Sequence, residues 1–104
     1  MLFVTYWELN ENMASQDTLE AANKLTSSGL FPPQDVQILR WDVTPDNWGI
    51  LIVESDSAQA VNDALGMWRA SVPGFFKVTK TSPAVPVQEG IPELGKLLQM
   101  VASS

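Results

Sequence analysis

Residues 36–54, with the sequence VQILRWDVTPDNWGILIVE, decide the fold, because they are typical of two β-strands joined by a short turn. Pro45 suits the first position of that turn, and Asn47 tolerates the left-handed conformation that closes a three-residue hairpin loop. Pairing of Thr44 with Trp48 then brings the two runs into antiparallel register. We therefore predict a β-hairpin at this point.

The register predicts two different faces for the hairpin. One face is wholly apolar and should lie beneath helices; it carries Leu39, Trp41, Val43, Gly49, Leu51 and Val53. The other face combines an apolar floor with three charges and an indole; it carries Ile38, Arg40, Asp42, Trp48, Ile50, Ile52 and Glu54. An exposed apolar surface of this mixed kind usually marks an interface.

The rest of the chain predicts two more strands and three helices. Strands are expected over residues 2–9 and 75–81, because both runs are rich in β-branched and aromatic residues. Ser15 and Ser57 are expected to cap two amphipathic helices, the first with the apolar stripe Leu19, Ala22, Leu25 and Thr26. The order β-α-β-β-α-β predicts an α+β, ferredoxin-like antiparallel sheet with two helices on one face.

The chain divides into a ferredoxin-like domain over residues 1–88 and an amphipathic helical tail over residues 89–104. Pro92 suits the first turn of the tail helix. Helices on one face leave the other face of the sheet uncovered, so we predict a homodimer whose two sheets face each other and enclose a barrel-like interior. In the competing arrangement, the tail helix covers the sheet of its own chain.

The composition excludes several classes of function. The chain has 104 residues with neither His nor Cys, so it lacks the usual ligands for zinc, haem and iron–sulfur clusters and the imidazole or thiol of common catalytic units. We expect no cofactor. Its net charge of −6 argues against nucleic acid and anionic membranes as partners. No signal peptide or membrane-spanning run is recognisable, which predicts a soluble, cytoplasmic protein.

Five polar or aromatic residues are candidates for a ligand pocket on the mixed face. Arg40 and Asp42 lie two residues apart on one strand and therefore share a face. In a pocket, Arg40 could bind an anion and Asp42 could act as a base. The favoured interpretation, however, is an ion pair that satisfies a partly buried charge or fixes the register of the dimer. Tyr6 and Glu8 share a parity on the first strand, and Trp48 lies beside the turn. Trp41 and Trp68 are assigned to core packing.

Several segments resemble a bacterial family, the domain-of-unknown-function family numbered 3303. They are the first strand ending in Trp7, the pair Arg40-Trp41, residues 49–54 followed by Asp56, the indole of Trp68, and residues 76–79. The resemblance covers residues 1–88. It implies a dimeric α+β barrel, a group that also includes cofactor-independent monooxygenases, muconolactone isomerases and chlorite-dismutase-like proteins. Several family members carry His where this chain has Asp42.

Two functional hypotheses follow. In the first, a small homodimer binds a small apolar or anionic ligand between its sheets, or a protein partner through its outer helices. In the second, a cofactor-independent monooxygenase or isomerase-like enzyme uses Arg40 as anion anchor, Asp42 or Glu8 as base, and Tyr6 or Trp48 to shape the pocket. Without His, an enzyme would need a carboxylate whose pKa is raised by burial, so the sequence favours the binding hypothesis.

Overall fold

A computed structural model describes residues 1–104 and confirms the ferredoxin-like α+β prediction. The elements are β1 (Leu2–Leu9), α1 (Ser15–Ser27), β2 (Val36–Val43), β3 (Trp48–Ser55), α2 (Ala58–Ser71), β4 (Phe76–Pro83) and α3 (Val87–Ser103). The four strands form one antiparallel sheet in the order β2-β3-β1-β4. The two strands of the hairpin therefore lie side by side, and β1 occupies a central position.

The predicted turn joins β2 to β3. The amide of Thr44 donates a 2.7 Å hydrogen bond to the carbonyl of Trp48, and the amide of Asn47 donates to the carbonyl of Thr44. Asn47 has a φ of 63°, the left-handed conformation that the turn requires. Trp41 pairs with Leu51 as predicted, so this end of the hairpin has the expected register.

The register changes further along β2, where the prediction for Leu39 is wrong. A bulge between Ile38 and Arg40 leaves Leu39 without a partner, so Ile38 rather than Leu39 pairs with Val53. Because the extra residue reverses the side-chain alternation, Ile38 packs against the core and Leu39 is 52% exposed. Ile38 therefore does not belong to the mixed face.

The core lies between one face of the sheet and the helices α1 and α2. Its central side chains include Phe3, Leu51, Val53, Val61 and Leu65, which are at most 3% exposed. Burial of these side chains supplies the main stabilisation of the fold.

The helix starts agree with the prediction at α2 and differ at α1. The Ser57 hydroxyl accepts a 3.0 Å hydrogen bond from the Ala60 amide, as a helix cap does. At α1, Ser15 is the first helical residue and Ala14 occupies the cap position. The buried residues of α1 are Ala21 and Leu25, whereas Leu19, predicted on the apolar stripe, is 62% exposed.

The C-terminal helix α3 begins at Val87, two residues before the predicted boundary of the tail. Pro92 therefore lies in its second turn rather than its first. No residue of α3 is buried, so this helix does not cover the sheet of its own chain. The molecule measures 57 × 29 × 21 Å. None of the helices is long and apolar enough to cross a membrane.

One face of the sheet is open in the protomer. Its centre is apolar, with Val4 paired to Ile52 on β3 and with Ile50 one row further along the same strand. The side chains of Lys80 on β4 and Arg40 on β2 lie on the outer strands of this face. We call this surface, which comprises the even-numbered residues 2–8 of β1 and 48–54 of β3 with their neighbours on β2 and β4, the open face.

Candidate functional site

All five residues predicted as a ligand pocket lie on the open face. Glu8 pairs with Trp48, Tyr6 pairs with Ile50, and Ile50 pairs in turn with Asp42. Arg40 occupies the neighbouring row, opposite Ile52. The side-chain alternation predicted for the first strand and for the hairpin therefore places these side chains on one surface.

Four of the five residues form two closed pairs. The Tyr6 hydroxyl donates a 2.5 Å hydrogen bond to Glu8, and the Arg40 Nε donates a 2.7 Å hydrogen bond to Asp42. The hydrogen bond to Glu8 raises the pKa of the Tyr6 phenol, and desolvation and the negative charge of Glu8 act in the same direction. The hydrogen bond and charge of Asp42 raise the pKa of Arg40. The Tyr6 phenol and the Arg40 guanidinium therefore release their protons less readily than the free side chains do.

The two pairs do not converge on a common point. Tyr6 and Asp42 flank Ile50 on opposite sides, so their backbones are separated by two strand spacings, about 10 Å. Trp48 lies on the Tyr6 side, with its ring centroid 5.8 Å from the Tyr6 ring. In the protomer, the open face is a surface with two separate polar pairs and an apolar centre between them.

A cavity lies on the opposite side of the sheet, between the sheet and the helices. Its volume is about 240 Å³. We call it the aromatic cavity; its lining residues are Trp7, Leu9, Thr18, Ala22, Trp41, Asp42, Val43, Trp68, Phe75 and Phe76. Thr18 and Ala22 lie four residues apart on α1 and therefore present two small side chains to the same point. The cavity exists because small residues of the helix face large aromatic residues of the sheet.

The aromatic side chains around the cavity touch one another in a continuous series. Trp41 and Trp68 pack edge to face with centroids 5.4 Å apart, and Trp68 lies 5.2 Å from Phe75. Phe75 then packs at 87° against Phe76, which contacts Trp7. Edge-to-face contacts stabilise such clusters beyond the burial of their area. The walls are therefore preorganised by their own packing.

A glycine in the hairpin makes room for the indole of Trp7. A Cβ atom at Gly49 would lie 2.0 Å from the carbonyl oxygen of Asp42 and 2.5 Å from Cζ2 of Trp7. Both distances are far below van der Waals contact, so only glycine permits the observed arrangement. The hairpin is thus shaped to let Trp7 lie against it at the wall of the cavity.

Two polar groups of the cavity walls have no hydrogen-bond partner. They are the indole N–H groups of Trp7 and Trp68, whose side chains are 5% and 4% exposed. A buried indole N–H normally donates a hydrogen bond, because leaving it unsatisfied is costly. Both nitrogen atoms are buried inside the packing of the walls, so they do not face the cavity, and the surface of the cavity is almost wholly apolar.

The sequence prediction that Trp41 and Trp68 are core residues holds for Trp68 only. Trp41 is on the helix side of the sheet as predicted, but it is 41% exposed, and Val43 beside it is 65% exposed. These two residues form the mouth of the cavity. The sequence held no signal for the cavity itself, because periodicity places Thr18 and Ala22 on a helix without showing that the space beside them is empty.

The structure offers no evident metal site. No group of three or more Asp or Glu side chains comes together in the chain as a metal ion would require. Asp42 borders the aromatic cavity, but strand alternation directs its carboxylate to the open face, where it pairs with Arg40.

Several solved structures are similar to this chain at low sequence identity. A nipsnap family protein with unknown function from Agrobacterium tumefaciens is 14% identical, with 82% of this chain and 86% of that chain covered and a TM-score of 0.50. At this identity the similarity is one of fold alone. An antibiotic biosynthesis monooxygenase is 18% identical, with 83% and 100% covered and a TM-score of 0.49. A Streptomyces coelicolor protein is 13% identical, with 83% and 100% covered and a TM-score of 0.49.

A search of the curated proteins found no match. The family model described as "Domain of unknown function (DUF3303)" matches residues 1–98. The match confirms the resemblance noted in the sequence and extends it by ten residues, into α3. The chain therefore belongs to the DUF3303 family.

Proposed function

We propose that this protein binds a small apolar aromatic ligand in the aromatic cavity and acts as a homodimer that is joined through the open face. The observation that carries the proposal is the cavity of about 240 Å³, whose walls are formed by Trp7, Trp41, Trp68, Phe75 and Phe76. Binding sites for small molecules are typically concave, apolar and largely preformed. The cavity has each of these properties.

The volume and the apolar surface of the cavity indicate the class of ligand. An apolar cavity of about 150 Å³ accommodates benzene, and sites for drug-sized ligands measure roughly 300–1,000 Å³. A cavity of 240 Å³ therefore suits a ligand of about two rings. The aromatic walls favour an apolar ligand, because they offer it almost no polar surface.

Binding is better supported than catalysis by the groups around the cavity. A cofactor-independent monooxygenase or isomerase needs a group that moves a proton at the ligand. Apart from the two indoles, Thr18 supplies the polar side chain in the wall. The pairs Tyr6–Glu8 and Arg40–Asp42 lie on the other face of the sheet and are closed by internal hydrogen bonds. Their groups therefore do not reach a ligand in the aromatic cavity.

The open face has the composition of a dimer interface. Val4, Ile50 and Ile52 form an apolar centre, and interfaces typically combine an apolar core with a polar rim. In such a dimer the ion pair of Arg40 with Asp42 would lie at the rim, already neutralised within each protomer. This supports a role for the five predicted residues in association of the two subunits and in shaping the space between the sheets.

The ligand proposal is tested with a matched pair of probes, 1-tetralone and tetralin, which differ by one carbonyl oxygen. Isothermal titration calorimetry should show binding of both bicyclic probes, with no advantage for the carbonyl of 1-tetralone, because the cavity surface is almost wholly apolar. Ala22→Leu fills the cavity from α1 and should weaken binding at least tenfold. The same substitution at the exposed Ala70 of α2 is the control and should leave binding unchanged.

Two outcomes would contradict the proposal. If neither probe binds at millimolar concentration, the cavity is not a site for ligands of this class. If Ala22→Leu binds the probes as well as the unmodified chain does, binding occurs elsewhere.

The dimer proposal is tested by sedimentation equilibrium of Ile52→Glu, because an unpaired carboxylate in the centre of an interface is strongly unfavourable. This substitution should halve the molar mass, whereas Leu19→Glu on the exposed face of α1 should not change it. An unchanged molar mass for Ile52→Glu would show that the open face is not an interface.

A further inference from the structure

The helix α3 carries an apolar stripe that nothing in the protomer covers. Five of its apolar residues recur at alternating intervals of four and three, and Leu97 and Met100 widen the apolar surface beside them; the five are Val87, Ile91, Leu94, Leu98 and Val101. Each of them is between 57% and 74% exposed. This interval repeats every seven residues and averages 3.5, which is the period of a seam between two paired helices.

The helix is not expected to persist in water without a partner. Isolated helices of 12–15 residues are marginal even when they are rich in alanine, and α3 has 17 residues. Gly90 and Gly95 each reduce helix stability by about 1 kcal/mol relative to alanine, and Pro92 by more. Burial of the apolar stripe is therefore required to keep this segment helical.

We propose that α3 pairs in antiparallel orientation with α3 of a second copy of this chain. The seven-residue period indicates a helix as the partner, because paired helices bury apolar residues that recur with this period. Within this chain the other helices offer no matching surface: α2 exposes no large apolar residue, and α1 exposes Leu19 alone. The second copy of α3 is thus the partner with a complementary seam.

Small residues lie beside the seam. In the seven-residue repeat, Gly90 and Gly95 occupy the two positions that flank the apolar stripe. A Cβ atom at Gly95 would contact nothing within the protomer, so the protomer gives no reason for glycine there. In a pair of helices, glycine at flanking positions lets the backbones approach closely.

Charge and geometry favour the antiparallel orientation. Glu89 and Glu93 lie in the first half of α3, and Lys96 lies in the second half. A parallel pair would bring the acidic halves together, whereas an antiparallel pair sets acidic against basic halves and opposes the helix dipoles.

The short linker before α3 favours the same orientation. Only three residues, 84–86, join α3 to β4. Parallel pairing would crowd two domains at one end, and antiparallel pairing separates them by about 25 Å.

The pairing is tested by the molar mass of a variant with a disrupted seam. Leu94→Glu combined with Leu98→Glu should halve the molar mass in sedimentation equilibrium, and the exposed Leu19→Glu on α1 is the control. Because the open face is a separate surface, α3 would join two open-face homodimers into a tetramer, so adding Ile52→Glu should halve the mass again, to the 11.4 kDa monomer. If the double variant in α3 sediments with the mass of the unmodified chain, α3 does not mediate self-association.

The orientation is tested by cross-linking, which is straightforward because the chain has no Cys. Gln88→Cys and Ala102→Cys lie near opposite ends of α3 and on the same side of the seam. An equimolar mixture in a glutathione redox buffer should yield mainly the mixed disulfide, because a disulfide requires Cα atoms within about 7 Å. In a parallel pair, each of these positions and its own copy would lie on opposite sides of the seam and could not link, so absence of the mixed disulfide would refute the antiparallel pairing.

Discussion

Gly49→Ala tests whether the hairpin is shaped around the Trp7 indole. The new methyl carbon would lie 2.0 Å from the carbonyl oxygen of Asp42 and 2.5 Å from Cζ2 of Trp7. The first contact is with backbone and cannot be relieved by a side-chain rotation. The second can be relieved only if Trp7, which is 5% exposed, leaves its position. Both the hairpin and the cavity wall must therefore shift.

Overpacking of this kind costs about 1–3 kcal/mol of the free energy of unfolding. For a domain of 104 residues, each kcal/mol lowers Tm by roughly 4 °C, so a decrease of about 4–12 °C is expected. Because Trp7 must move, binding of 1-tetralone should weaken as well. Urea unfolding followed by tryptophan fluorescence, together with calorimetric titration, measures both effects.

The matched control is Gly66→Ala in α2. A Cβ atom there would contact nothing within 4 Å. Replacing glycine by alanine inside a helix stabilises it by about 0.5–1 kcal/mol, so this variant should unfold at a higher urea concentration and bind the probe normally. If Gly49→Ala is as stable as the unmodified chain, the close approach of Trp7 to the hairpin does not occur in solution.

Three further predictions concern individual side chains. The phenol of Tyr6, the single tyrosine, should titrate above the usual pKa of about 10 when its absorbance is followed at 295 nm, and Glu8→Gln should lower that pKa. The stabilisation from this hydrogen bond is therefore present below pH 10 and is lost as pH rises through the pKa of the folded state. A titration midpoint unaffected by Glu8→Gln would contradict the hydrogen bond. Trp68→Ala should lower the free energy of unfolding in urea by about 3–5 kcal/mol, because the indole is 4% exposed and packs against other aromatic rings. A decrease of less than about 1 kcal/mol would be inconsistent with that packing. Arg40→Ala should cost less than about 1 kcal/mol because its ion pair is exposed, and it should bind 1-tetralone normally; a loss of binding would place the ligand on the open face instead.

The sequence was sufficient to predict the fold because its local signals agree with one another. The turn at Pro45–Asn47, the cap at Ser57 and the alternation of the strands all indicate the same arrangement, and sequences with such agreement specify one structure. The bulge at Leu39 was not predictable, since Ile38 and Leu39 are both apolar and either one could occupy the core face.

The site was harder to predict than the fold. The polar residues of the sequence predicted a site on the open face. There, however, Tyr6 and Arg40 donate hydrogen bonds to carboxylates of their own strands. The aromatic cavity is formed by residues that pattern analysis assigns to the core, because periodicity reports which face a residue occupies and not whether the space beside it is filled. Only the packing of Trp41 and Trp68 against the small residues of α1 shows that a space remains.

The most direct test of the central claim uses the four indole N–H resonances of the chain in a ¹H–¹⁵N correlation spectrum. Trp7, Trp41 and Trp68 line the aromatic cavity, and Trp48 lies on the other face of the sheet as an internal control. Titration with 1-tetralone should shift the Trp7 and Trp68 signals most, because both indoles are buried in the cavity wall, and should leave Trp48 in place. A shift confined to Trp48, or no shift at saturating probe, would contradict ligand binding in the aromatic cavity.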